Sequence, residues 1–170
     1  MATGFRRIIL FFDENEWMNK SKVTKHSNFQ WNIHTEIIID ASKEKVWSIL
    51  MDFDTMPQWS KTLQKIKGDL STGSRTKVNY IFKEKLREIN HTMVDFEEGT
   101  QFGWSDTLIP FAKDHHIYRV EALPDGKSKF IQEDEVKGLT AALVANMLMN
   151  EMIETYPAFN EALKQMAEKK

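Results

Sequence analysis

The stretch from about Leu139 to Met166 constrains the fold more than any other part of the chain. Ala142, Ala145, Met149, Met152, Tyr156, Phe159, Leu163 and Met166 recur alternately three and four residues apart. That spacing predicts one long helix with an unbroken apolar stripe. Its first half also carries Leu139, Leu143, Met147, Leu148 and Ile153, so it is apolar nearly all round. Pro157 has no N–H for the carbonyl of Ile153, which predicts a bend there. The segments before this helix read as strands, and no other element is large enough to cover an apolar sheet face.

The strand signals begin at Trp31. Trp31, Ile33, Thr35, Ile37 and Ile39 alternate with Asn32, His34, Glu36 and Ile38, which is the spacing of a strand with one buried face. Ser42 then offers an N-cap and Glu44 stands in the first turn, where negative charge suits the helix dipole. Val46, Ile49, Leu50 and Phe53 form one face of a short helix, and Asp54 is placed to cap a second short turn with Pro57 and Trp59. Further strands follow: a short one at "TLQKIKGD", then "SRTKVNYIF", "LREINHTMVDF", "QFGWSDTLI", "HHIYRVEAL" and "KFIQEDEV". Gly73, the Glu97 to Thr100 segment and Pro124-Asp125-Gly126 mark turns between them. Short connections make this a meander and hence an antiparallel sheet. The expected class is α+β: about six or seven strands in the order strand, two short helices, six strands, long helix. A curved sheet gripping a helix need not close on it everywhere, so a cleft between them is expected.

Residues 1–30 read as an extension and linker, and residues 31–170 as the domain. The apolar run Ile8 to Phe12 is five residues long, whereas a signal core needs about 7–15 and a membrane span about 20. Acidic residues follow at once, and Met18 is an alternative start. These features predict no membrane span and a cytoplasmic protein. No segment concentrates Lys and Arg among aromatics, which argues against nucleic acid. The chain has no cysteine, which removes disulfides, thiol nucleophiles and thiolate metal sites together. No cofactor motif appears. His115 and His116 point to opposite faces of a strand and cannot share an ion, so no metal is expected. The oligomeric state is left open.

The local sequence is similar to the START-like, or SRPBCC, superfamily over about residues 31–168. "IDASKEKVWSIL" at 39–50, "PQW" at 57–59, "FGW" at 102–104, "HIYRVE" at 116–121, "EDEVKGL" at 133–139 and "FNEALKQMAE" at 159–168 fall in the expected order. The match is best to a polyketide cyclase-like, ligand-binding subfamily. Ser60-Lys61 replaces the Asn-Pro that commonly follows the tryptophan in that subfamily. The resemblance implies a helix-grip fold and a cavity between sheet and helix, with a small hydrophobic molecule as partner. Trp59 then either covers the mouth of that cavity or anchors the core from the surface.

Alternation selects which polar side chains can face the cavity. His116 shares a face with Tyr118 and Val120, and Gln132 and Asp134 share one with Phe130 and Val136. His91 lies with Ile89 and Met93, and Trp104 with Phe102 and Asp106. The candidate ligand-binding set is Trp59, Val78, Tyr80, His91, Met93, Trp104, His116, Tyr118, Gln132, Asp134, Met149, Met152 and Tyr156. No nucleophile stands near a base in sequence. Three functions fit: binding of a lipid-like, aromatic or polyketide-like molecule, a cyclase or aromatase with His116 and Asp134 as acid–base pair, or a chaperone-activator-like interaction through "RIILFF" at 7–12 and its flank.

Overall fold

The structure is a computed structural model that describes residues 20–169. The apolar run near the N-terminus and the alternative start at Met18 lie outside the described residues, as does the interaction role given to them. In chain order the elements are β1 (Lys22–Ser27), β2 (Gln30–Ile39), α1 (Lys43–Met51), a single 3₁₀ turn (Met56–Gln58), β3 (Leu63–Lys67) and β4 (Arg75–Phe82). Then come β5 (Lys85–Glu97), β6 (Gln101–Trp104), β7 (Thr107–Ile109), β8 (Ala112–Ala122), β9 (Ser128–Gly138) and α2 (Ala141–Ala167).

All strand pairs are antiparallel, in the order β1-β2-β9-β8-β6-β5-β4-β3, with β7 paired to β8. Strands β4 to β9 form the expected meander, and β9 returns beside β2. The helix α1 and the 3₁₀ turn carry the chain from β2 to β3 at the far side. This is the helix-grip architecture, with nine strands among the described residues rather than six or seven. One of the extra strands, β1, lies within the segment read as a linker. Its mixed sequence KVTKHS shows no apolar period, and pairing with β2, Val23 opposite Ile33, defines it. The other, β7, is too short to show a period.

Local chemistry explains the helices. Ser42 caps α1, its Oγ accepting from Lys45 N–H at 3.3 Å, and Val46, Trp47 and Leu50 are buried beneath it. Asp54 does not cap the 3₁₀ turn as expected: Asp52 accepts from Thr55 N–H there, and Asp54 pairs with Lys65. The long helix α2 continues through Pro157 to Ala167. The Ile153 carbonyl, which has no N–H four residues on, accepts a hydrogen bond from Ser21 Oγ at 3.0 Å. The buried stripe of α2 is Ala141, Ala145, Met149, Tyr156, Phe159, Asn160, Leu163 and Ala167. Ala142, expected to be inside, is exposed, and Met166 is only partly covered.

Two apolar clusters hold the helix. Phe159, Leu163 and Ala167 pack with α1 and the sheet residues Ile37, Val78, Met93, Phe102, Tyr118 and Phe130. Ala141, Ala145, Met149 and Tyr156 pack on Ile33 of β2 and Val136 of β9. The C-terminal half of α2 is therefore seated in full contact. The middle of the helix, from Met147 to Tyr156, faces strands β4, β5, β6 and β8 across open space.

Candidate functional site

That space is a cavity of about 530 Å³, within the usual size range for a small-molecule site. Val78, Tyr80 and Ile81 of β4, Ile89 and His91 of β5, Trp104 of β6, and His116 and Tyr118 of β8 wall it on the sheet side. Gln132 and Asp134 come from β9, and Met147, Leu148, Glu151, Met152, Thr155 and Tyr156 from α2. Arg87, Ile89 and Met147 on this wall are exposed, whereas His91, Asp114, His116 and Asp134 are buried. The cavity thus opens beside Arg87 and Met147 and ends, inside the molecule, at a cluster of polar groups.

Most of the expected residues are brought together: Val78, Tyr80, His91, Trp104, His116, Tyr118, Gln132, Asp134, Met152 and Tyr156 all lie on the wall. Three do not. Trp59 is half-buried and packs at a tilt against Phe159, ring centres 5.2 Å apart, in the filled half of the core. Met93 is fully buried in that same cluster, and Met149 packs in the cluster with Ile33 and Val136. The tryptophan of the 3₁₀ turn therefore anchors the packed end, since the opening is elsewhere.

The polar end has a definite wiring. Tyr156 OH donates to Asp134 Oδ2 at 2.9 Å and lies 3.2 Å from His116 Nδ1. His116 and Asp134 themselves are 3.9 Å apart and are joined by a bridge through the tyrosine. Rings enclose His116: Tyr118 stacks on it at 4.4 Å, with Trp104 and Tyr156 both at 4.9 Å. Burial lowers the His116 pKa to about 3 and raises that of Asp134 to about 8, so both are neutral near pH 7. His91 Nδ1 lies 2.6 Å from Asp106 Oδ2, and Arg75 pairs with the other oxygen of Asp106 at 3.0 Å. Burial also lowers the His91 pKa, so its Nδ1–H donates to the carboxylate and Nε2 is left as an acceptor. Neither His91 Nε2 nor His116 Nε2 nor Asp134 Oδ1 has a partner among the described residues.

Among the polar residues that escaped the sequence reading are the wall residues Arg87, Glu151 and Thr155 and two buried ones, Asp114 and Asn160. Asp114 on β8 lines the cavity at 8% exposure and accepts Asp106 N–H at 2.6 Å. Burial raises its pKa to about 6. The signal was available, because Asp114, His116, Tyr118 and Val120 alternate on one face, but β8 begins at Ala112 and not at His115. Asn160, fully buried, accepts from Gln132 Nε2 at 2.5 Å and ties β9 to α2. It follows Tyr156 by four residues in the true stripe.

Gly103 lets these strands come together. A Cβ at Gly103 would sit 2.3 Å from the His116 carbonyl oxygen. Only glycine allows β6 and β8 to approach so closely, and this sets Trp104 opposite His116.

A family model described as polyketide cyclase / dehydrase and lipid transport matches residues 30–169. Among solved structures, the di-domain ARO/CYC BexL is similar with a TM-score of 0.67 at 13% identity, over 85% of this chain and 52% of that one. The chain thus spans about half the length of that protein. The Zhui aromatase/cyclase from Streptomyces gives a TM-score of 0.65 at 12% identity, covering 82% of this chain and 94% of that one. A START superfamily protein from Mycobacterium smegmatis gives 0.53 at 14% identity, covering 79% and 98%. No curated protein matches the chain. At such identities these likenesses concern the fold.

Proposed function

This chain belongs to the polyketide cyclase, dehydrase and lipid-transport family, and from that premise we propose that it binds a small hydrophobic molecule between its sheet and α2. The guest is lipid-like, aromatic or polyketide-like. The observation that carries this reading is the cavity of about 530 Å³ flanked by two well-packed clusters. Affinity comes from apolar area removed from water, about 25 cal/mol per Å² before the ordering of the guest is subtracted. Tyr80 and Trp104 on the wall present aromatic surface to an aromatic body. Met147 and Met152 adapt their shape, which suits a loosely selective apolar guest.

Thermal unfolding with a panel of apolar compounds tests the reading. Alkyl alcohols and naphthalene derivatives are expected to raise the melting temperature, and Met152→Glu is expected to abolish that rise. A flat response across a broad panel overturns the proposal.

A cyclase-type enzyme is the second reading, favoured by the Asp134–Tyr156–His116 bridge on the cavity wall. A His116 pKa of about 3 makes this imidazole a weak base, so Asp134, with a pKa raised to about 8, is the better acid–base group of the pair. Cyclisation of a poly-β-keto chain that persists in His116→Ala would remove His116 from that role.

A further inference from the structure

The inner end of the cavity contains a carboxyl group without a counter-charge. Asp114 is 8% exposed, lines the wall and has no ion pair among the described residues. Its neighbours do not supply one. Asp106 already faces Arg75 and His91, while Asp134 has only the neutral Tyr156 and a neutral His116 beside it. The one cation on the wall among the described residues, Arg87, is exposed at the opening. A buried carboxylate without a partner is costly, and a cation brought to it relieves that cost. The rings of Tyr80, Trp104 and Tyr156 stand at the same end, and their faces attract ammonium groups. Of the unpartnered buried atoms on the wall, His91 Nε2 and His116 Nε2 are acceptors when Tyr156 donates to Asp134 Oδ2, while the neutral Asp134 carries its own proton on Oδ1.

We propose that the guest is a hydrophobic organic amine, held with its ammonium group beside Asp114 and its apolar body along α2 toward the opening. This rests on the binding reading above and narrows it. A neutral alcohol of the same shape donates a hydrogen bond but leaves the carboxylate uncompensated. A carboxylate of the same shape meets like charge.

The proposal has a pH signature. The charges of Asp106 and His115 act on Asp114, Asp114 acts in turn on Tyr80 of β4, Asp134 of β9 and Tyr156 of α2, and His91, His116 and Glu151 line the same cavity. Burial places the Asp114 pKa near 6, so the carboxylate that receives the ammonium forms as pH rises through that value. Amine affinity rises with it, and amine binding near pH 6 releases protons.

Calorimetric titration of the full chain with decylamine, decanol and decanoic acid tests this. Near neutral pH, decylamine is expected to bind roughly tenfold or more tighter than decanol, with decanoate weakest. Decylamine affinity is expected to rise between pH about 5 and about 7, with decanol affinity flat. Asp114→Asn keeps the acceptor for Asp106 N–H and is expected to bring decylamine down to the affinity of decanol. Equal affinity for decylamine and decanol in the unaltered protein overturns the proposal while leaving the binding reading intact. An amine preference without pH dependence also overturns it. Binding by none of the three defeats the binding reading itself.

Discussion

Asp134 keeps its proton well into the neutral range because burial disfavours its charge. The folded state holds that proton up to about pH 8, whereas an aspartate free in water releases it near 3.8. Between those limits the folded protein binds more protons than the unfolded one, so this group's contribution to stability is lost as pH rises toward about 8. His116 acts in the opposite sense: its folded pKa of about 3 against 6.5 means that its contribution is lost as pH falls below 6.5. Asp134→Asn keeps an acceptor for Tyr156 and cannot ionise. It is therefore expected to stabilise the fold by about 1–3 kcal/mol above pH 8 and by much less near pH 5. Urea unfolding at both pH values checks this, and an equal effect at both would show that Asp134 does not titrate as described.

At the scale of elements, the proline in α2 has a partner far away in sequence. Ser21, just before β1, donates to the Ile153 carbonyl. Ser21→Ala is expected to cost about 0.5–1 kcal/mol in the natural background. In Pro157→Ala the residue regains an N–H for Ile153, and the same Ser21→Ala change is expected to cost nearly nothing. A double-mutant cycle followed by chemical denaturation measures the difference. These elements also show what could be read from the chain. Strand β9 alternates from Gln132 to Val136, with Ile131 also covered, so the burial of Gln132 and Asp134 beside Phe130 and Val136 is legible in the sequence. Strand β1 was missed because its burial comes only from pairing with β2. The shift from Ala142 to Ala141 at the start of α2 is a matter of which face of an all-apolar turn meets β2 and β9, and no periodicity distinguishes those faces. The Tyr156 bridge between His116 and Asp134 joins helix to sheet, a distance in sequence that local pattern does not span.

For the whole molecule, the decisive feature is that α2 is packed at its C-terminal half and open at its middle. Sequence periodicity gives the same stripe for both, so it could not separate filled from hollow or tell that Trp59 belongs to the filled end. The two regions are expected to respond differently to substitution. Leu163→Ala is expected to cost about 2–5 kcal/mol, since Leu163 is fully enclosed. Met152→Glu, at a partly covered position on the cavity wall, is expected to alter unliganded stability by less than about 1 kcal/mol. Denaturation of the two variants without added compounds checks the contrast, and a large loss for Met152→Glu would mean that this part of α2 is packed.

The Gly103 contact carries a consequence for inheritance. The bare backbone there locks β6 to β8 and sets the ring cluster in place whatever lies against α2. Descendants of this chain can therefore exchange residues such as Ile89, Met147 and Met152 and reshape the cavity, while any side chain at position 103 would wedge the two strands apart and undo the hollow altogether.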